Sequence, residues 1–573
     1  MKQPAVLMSN CPPIVAVVFS LFALLLPSQS TAAKGNHLWS QRFGDASSES
    51  GWSVAADGSE NVIVTGNFYG TVDFGGGLLT SAGDRDIFVA KFDPCGDHLW
   101  SQRFGDASDQ WGASIAVDSA GNVLAAGYFE GTVDFGGGPL TSAGDIYDKD
   151  IFVAKFDPDG NHLWSQRFGD ERSQWGNSVA VDGPGNVILT GTFYGTVDFG
   201  GVPLVNPSPG DIWDIFVVKF DRDGNHLWSQ RFGDSNPNWE GCWSVAVDGS
   251  RNVILTGYIE GTVDFGGEPL TSAGFDDIFV VKLDSSGNHV WSKRFGDWNE
   301  FQIGESVAVD DSGNVVVTGN FQSTVDFGGG TLTSAGEVDI FVVKFDPGGN
   351  HIWSQCFGDA SPQWSKSVAI DYSGYVVITG IFLGAVDFGG ELLTSGGSHD
   401  IYVADFDGGG NHIWSQSFGD ASGQRSNGVT MDSSGNIVVT GDFQGTVDFG
   451  GGTLTSAGEV DIFVVKFIDP VVAVLPENYT VTYQELGYSY PNPFNPSTRI
   501  PYVIHRASHV CLAVYDISGR LINTLVDDYM ESGSYVEKWD GRDSRDNTMA
   551  TGVYFCRLTA GPHTETRRMT LIR

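Results

Sequence analysis

The sequence predicts an all-β protein: a seven-bladed β-propeller of four-stranded antiparallel blades, its N-terminal strand closing the last blade, followed by a small β-sandwich. Three observations predict it. The phrase His-x-Trp-Ser-(Gln/Lys)-x-Phe-Gly-Asp begins at His37, His98, His162, His226, His289, His351 and His412, so its tryptophan recurs every 61 to 64 residues. A fixed period of that size is the signature of solenoids, propellers and arrays. Each period holds four short apolar runs separated by Asp/Gly/Asn turns, with no 3.6-residue pattern that would mark a helix. The repeat also stops after residue 467, and the remaining residues read as a different small β unit.

The second unit shows the reading. Ser114–Asp118 is a first strand, Ser119–Gly121 a turn and Asn122–Phe129 a second strand. Gly131–Gly137, Gly-Thr-Val-Asp-Phe-Gly-Gly, reads as a bend opening a longer connection. Asp150–Phe156 is a third strand, Asp157–Asn161 a tight turn and His162–Phe168 a fourth strand. Four antiparallel strands per unit make a propeller blade. The fourth-strand phrase occurs once before the first full unit, at His37–Asp45, and the seventh unit ends at its third strand, Asp461–Phe467. The N-terminal strand should therefore complete the last blade and remove an open sheet edge.

The net charge of −39 sits almost wholly in the repeats. Residues 37–484 carry 19 Lys/Arg against 60 Asp/Glu, while residues 485–573 carry ten of each. Phosphate binding needs a basic face, so nucleic acid and anionic lipid are excluded as partners. Residues 1–33 read as a signal peptide: Lys2, an apolar run Ile14–Leu26, then Ser30-Thr-Ala-Ala33 for cleavage. No other stretch is apolar enough to span a membrane. Five cysteines follow that segment without the period of the repeat, and only Cys511 and Cys556 stand as a possible bridge.

The repeat text resembles a known family. Ser306–Gly319 with Asp339–Asn350, and Ser178–Gly191 with Asp214–Asn225, are similar to the SBBP beta-propeller repeat, over about residues 37–467. That resemblance implies a secreted interaction scaffold and names no ligand. Residues 468–487 read as a linker. Residues 488–573 carry Pro491, Asn492, Pro493, Phe494, Asn495 and Pro496, later Trp539, Asp540 and Gly541, and strands at sandwich spacing. They resemble the C-terminal sorting domain of the type IX (Por) secretion system and the Ig-like domain of flagellar hook-capping proteins. The resemblance implies export across the outer membrane, with the type IX machinery as partner of this domain, and a secreted or cell-surface location.

Chemistry is sparse. Seven of the eleven histidines are the repeated one; the others are His399, His505, His509 and His563. Histidines on separate blades cannot converge, and no nucleophile–base pairing or zinc spacing stands out, so the sequence predicts no enzyme. Glu171, Glu240 and Glu300 fall in the variable segments and are the carboxylates a catalytic alternative would use. Aspartates recur at turns, where they cap their own backbone. The turns holding Asp157 and Asp159, and Asp221 and Asp223, resemble the start of a calcium loop, but Asp346-Pro-Gly-Gly-Asn350 lacks the middle carboxylate and no glutamate follows. No cofactor is expected.

The departures from symmetry point to a binding face. The segment between one unit's fourth strand and the next unit's first strand varies, and it carries Trp52, Trp111, Trp175, Trp239, Trp243, Trp298 and Trp364 beside amides. Aromatic rings next to amides suit a sugar or peptide surface. Trp111, Trp175 and Trp364 keep one register and suit packing between blades; Trp239 and Trp298 are off register and suit a ligand. The sequence thus predicts an exported binding or scaffold module whose loops meet a surface protein or glycan. A polymer-active enzyme on the same ring and a structural surface-layer protein are the alternatives.

Overall fold

The computed structural model describes residues 35–144, 148–207, 212–234, 238–298, 301–371 and 373–468. Between 485 and 572 it describes 485–486, 489, 492, 494–504, 508–517, 520–530, 533–545, 547–560 and 563–572. The predicted signal peptide lies outside the described residues. The chain forms two compact units, Met1–Val471 and Val472–Arg573.

Among its described residues the first unit has β-strands and no helix, and these strands include seven four-stranded antiparallel sheets. Blade one is Glu49–Ala56, Val62–Phe68, Asp86–Phe92 and His98–Phe104. Blades two to six repeat that order. In blade seven the strands Gln424–Met431, Ile437–Phe443 and Asp461–Ile468 are joined by Asn36–Phe43, which pairs antiparallel with Asp461–Ile468. The expected closing strand is therefore in place, held further by the Arg42–Asp461 ion pair. First strands of successive blades adjoin one another, and blade one's adjoins blade seven's.

Each second and third strand is buried at nearly every residue, as in Val62–Phe68 and Asp86–Phe92. Both faces of a blade are covered by its neighbours, so these strands are near-continuous Val/Ile/Phe runs and do not alternate. Polar ties are equally regular. Asp57 accepts from the Ser59 and Asn61 amides and from Asn61 Nδ2, then from Lys91 Nζ at 2.9 Å. The same Lys–Asp pair recurs in blades two, three, four, five and seven. Blade six has Asp405 at the lysine position. Trp100 Nε1 donates to Pro158 O at 3.0 Å and Gln102 Nε2 to Gly160 O at 2.6 Å, which ties blade one's outer strand to blade two's turn. First-strand serines join the inner strands: Ser53 Oγ accepts from Ile115 N–H at 3.2 Å and Ser114 Oγ from Val179 N–H at 3.1 Å.

The structure moves one expected boundary. First strands begin four residues earlier than expected, at Gln110 and not Ser114, and carry a bulge, in blade two between Gly112 and Ser114. Trp52, Trp111, Trp175, Trp243 and Trp364 therefore belong to first strands and not to the connections before them. The varied side chains and the bulge hide the period-2 pattern there. The Gly-Thr-Val-Asp-Phe-Gly-Gly segment is a small hairpin, Thr132–Asp134 with Pro139–Thr141.

The second unit has a three-stranded sheet of Glu485–Leu486, Thr498–Ile504 and Gly533–Trp539, and a four-stranded sheet of Leu521–Met530, Ser508–Asp516, Gly552–Ala560 and His563–Leu571. The sheets share one core including Ile500, Leu512, Trp539 and Met569. The two sequence motifs meet there: Phe494 packs on Trp539 at 5.4 Å, and Trp539 Nε1 donates to Arg542 O at 2.9 Å. Asn492 Oδ1 accepts from Thr570 N–H, Asp540 Oδ1 from Arg542 N–H, and Gly541 takes φ 70° at the turn. Asn495 and Pro496 continue the motif into the first long strand, while Pro491 and Pro493 lie outside the described residues. Cys511 and Cys556 are free thiols. Their strands place Cys511 opposite Thr559 and Cys556 opposite Val514, so the possible bridge does not form.

Candidate functional site

Repeated polar residues are consumed by the scaffold. His98 Nε2 bonds Ser101 Oγ at 3.0 Å, and Gly76 lies so close that a Cβ there would stand 2.2 Å from the ring. Asp157 and Asp221 accept from the backbone of their own turns, including the Asp159 and Asp223 amides. Their carboxyls are held below the usual range by those hydrogen bonds and by Asn161 and Asn225, working against the effect of burial. Calcium would have to displace these bonds. Clefts of about 490 and 560 Å³ beside Lys155 and Lys282 are copies of one feature, repeated with the Lys–Asp pair.

Symmetry fails at the other end of the blades, where first strands begin, second strands finish and third strands start. The varied residues there fall into three sectors. Across blades one to three they form a continuous ladder of rings. Trp52 meets Trp111 at 5.1 Å, Trp111 stacks on Tyr128 at 5.9 Å, Tyr128 on Trp175 at 5.5 Å, and Trp175 meets Trp213 at 4.7 Å. Arg85 lies over Trp111 at 4.9 Å and Lys149 over Tyr128 at 5.4 Å. Trp111 and Trp175 thus pack between blades, and the cations beside them are engaged with rings.

Blades four and five form the second sector. Trp239, Tyr258, Phe275 and Phe301 line a cavity of about 230 Å³ with Glu260 and Asp276. Trp239, Phe275 and Phe301 are each about half exposed (51%, 53% and 50%). Burial pushes Asp276 up to about 6, helped by the Glu260 and Asp277 carboxylates. Trp298 is 74% exposed and does not line this cavity. Trp243 lies 6.2 Å from Tyr258.

Blades six, seven and one form the third sector, a cavity of about 300 Å³ lined by Trp52, Trp364, Lys366, Ile381, His399, Arg425 and Asn427. Trp364 packs on His399 at 5.4 Å, and Trp52 Nε1 donates to Asn67 Oδ1 at 2.6 Å. His399 is held below its usual value by burial and by Arg425. Sequence reasoning missed this group, because Lys366, His399 and Arg425 occupy three different positions of the repeat. Aligning the units column by column shows each in a column that varies from blade to blade.

Of the three glutamates set aside for catalysis, Glu240 is fully buried within a first strand, at the position Gln110 holds in blade two. Glu171 sits in an exposed turn and Glu300 lies outside the described residues. Among the described residues no three His, Cys, Asp or Glu side chains converge as a metal site.

The SBBP beta-propeller repeat family matches residues 99–128, the fourth strand of blade one and the first two of blade two. With the repeated four-stranded blades, that match makes the first unit a β-propeller repeat structure. An uncharacterised WD repeat-containing protein of Acanthamoeba polyphaga mimivirus is 22% identical over 521 residues, covering 72% of this chain and 36% of that protein. The regulatory protein FlaEY of Caulobacter vibrioides is 26% identical over 208 residues, covering 35% of this chain and 21% of its own length. The chain thus spans well under half the length of these curated relatives. Among solved structures, an ulvan lyase of a polysaccharide lyase family aligns with TM-score 0.39 at 10% identity, covering 74% of this chain and 95% of the lyase. PorZ, a type IX secretion surface component of Porphyromonas gingivalis, aligns with TM-score 0.21 at 12% identity, covering 91% and 92%.

Proposed function

We propose that the chain is an exported seven-bladed propeller that binds a ligand at its variable mouth, and that residues 488–573 are an Ig-like sorting domain delivering it through type IX secretion. One observation carries the binding reading. Seven blades keep one strand plan and six of them the same buried Lys–Asp pair, while the mouth differs from blade to blade and leaves Trp239, Phe275 and Phe301 half exposed. Exposed aromatic groups rimmed by polar residues mark interaction sites. The ligand on this reading is a glycan or a surface protein, and the ring performs no catalysis. The delivery reading rests on the Pro491–Pro496 and Trp539–Gly541 motifs together with the N-terminal apolar run.

Screening the mature chain on polysaccharide arrays and surface extracts tests the first part. Retention that disappears in a Trp239→Ala/Arg425→Ala double variant supports it; no retention of any sample turns the reading towards a structural surface role. Deleting residues 488–573 tests the second part. Unchanged appearance of the truncated chain outside the cell would defeat sorting.

A further inference from the structure

We propose that the cavity between blades six, seven and one binds the carboxylate of an acidic sugar, a uronate residue of a polysaccharide. The inference rests on the reading of the mouth as a ligand site and names the ligand class for one part of it.

Three cation-forming side chains meet there from unrelated positions. Lys366 is the bulged residue of blade six's first strand, His399 immediately precedes that blade's third strand, and Arg425 is the second residue of blade seven's first strand. The residues equivalent to Arg425 in blades one to six are Ser50, Trp111, Trp175, Gly241, Ile303 and Trp364. No repeat-wide packing role therefore explains the arginine.

Charge makes the convergence informative. The repeats are strongly acidic, and cations elsewhere at the mouth are engaged: Arg85 and Lys149 lie on rings. In this cavity Lys366 pairs with Glu305 at 3.4 Å, so the charge left without a partner is that of Arg425. Arg425 is exposed and, among the described residues, forms no ion pair. Its register partner Asp442 is buried and accepts from Asn427 Nδ2 at 3.0 Å; burial pushes it up to about 6 against the pull of Asn427 and of Arg425 itself, which acts on it at a distance without pairing. Arg425 in turn disfavours charge on His399. Burial acts on the ring in the same direction and more strongly, and an incoming anion would oppose both effects by favouring the protonated ring.

Shape selects the scaffold that carries the charge. The planar guanidinium fork of Arg425 matches a carboxylate. Trp52 and Trp364 supply flat apolar faces of the kind that pack on a sugar ring, and both are fixed, one by Asn67 and the other by His399. About 300 Å³ accommodates one or two sugar residues and leaves the rest of a polymer outside. An acidic peptide would satisfy the arginine but leave the indole faces without a matching ring.

The test is calorimetric titration of the mature chain with trigalacturonate and triglucuronate, each against its methyl ester, which keeps size and removes charge. At least one acid should bind, and both esterification and Arg425→Ala should weaken it on the order of tenfold, the scale of one charge-assisted hydrogen bond. Trp52→Ala should weaken acid and ester alike. Arg425 is exposed, so an unchanged melting curve for Arg425→Ala will show that folding is intact. Equal binding of acid and ester, or insensitivity to Arg425→Ala, overturns the charge assignment while leaving the mouth a binding site. Competition by sulfate or by a hexaglutamate peptide at the same concentration as the trisaccharide overturns the sugar assignment. Failure of both acids overturns the inference even where surface extracts are still retained; failure of every sample takes the mouth reading with it.

Discussion

The body of the ring and its mouth are made from the same strands, yet they follow opposite rules. In the body, six blades repeat one buried Lys–Asp pair, with Lys219 Nζ to Asp182 at 2.9 Å and Lys466 Nζ to Asp432 at 2.6 Å among them. At the mouth, the bulged first-strand residue is in turn Trp52, Ala113, Asn177, Trp243, Glu305, Lys366 and Asn427. A position that must satisfy identical neighbours keeps one residue type. These partly exposed positions meet different neighbours in each blade and are released from that constraint, so their chemistry is available for recognition.

The sharpest way to break the body is to reopen it. Deleting residues 36–43 exposes the Asp461–Ile468 strand as an unpaired edge and removes Phe43 from its stacking on Phe74 and Phe92. The expected outcome is aggregation and a markedly lower melting temperature, read by scanning calorimetry and light scattering. A melting curve like that of the intact chain would refute closure. Next in size is the Lys–Asp pair. Lys219→Ala strands a carboxylate that is fully buried beside its turn, and breaking such a pair from one side costs about 3–5 kcal/mol. Denaturant titration should show this as a lower midpoint at constant slope. A loss of less than about 1 kcal/mol would mean that water reaches Asp182 in the folded ring.

The body was legible in the sequence and the mouth was not, for one physical reason. Body residues repeat, so period alone exposes strands, turns and even the closing strand at His37. Mouth residues act by converging across blades, and convergence depends on the ring. His399 and Arg425 are neighbours in one cavity only because third and first strands of adjacent blades meet at the same end. Register separated Trp111 and Trp175 from Trp239, but it did not reveal Tyr128, which joins the first two into a ladder, or Phe275 and Phe301, which line a cavity with the third. The varied starts of the first strands also masked their own strand character, which placed Trp52 and Glu240 in connections.

Glu49 and Glu240 sharpen the comparison, because they are mouth-end exceptions inside the body. Gln110 Nε2 donates to Asp106 Oδ1 at 2.9 Å and to Glu130 O at 3.1 Å, and Gln174, Gln363 and Gln424 repeat this. A glutamate can imitate that donor only when protonated. Burial, then the nearby Asp214 and Asp234 carboxylates, push Glu240 up to about 10; burial with Asp45 and Asp461 pushes Glu49 up to about 9. The folded chain therefore holds a proton at each that the unfolded chain releases near its ordinary value. Their contribution to stability is full below that ordinary value and declines as pH rises towards the folded value. Glu240→Gln should consequently stabilise the ring at pH 8, on the order of 2 kcal/mol, and leave it unchanged near pH 4.5. Melting curves of the two forms between those limits will converge on acidification. Parallel curves would mean that Glu240 is ionised in the folded protein.

The smallest expected change in stability lies at the two exposed tryptophans. Trp239 and Trp298 lie 51% and 74% exposed, so truncating either to alanine should alter stability by less than about 0.5 kcal/mol. Binding should separate them. Trp239 lines the cavity with Tyr258, Phe275 and Phe301, and Trp298 does not. Trp239→Ala should therefore reduce retention of surface extract at unchanged melting temperature, while Trp298→Ala leaves both intact. If Trp239→Ala lowers the melting temperature by several degrees, that ring belongs to the body, and the boundary between constrained scaffold and free mouth must be redrawn to include blade four's entry. If Trp298→Ala abolishes retention instead, the contact surface lies outside the cavity, on the connection between blades four and five, and the ligand is read there by a flat face without an enclosing pocket.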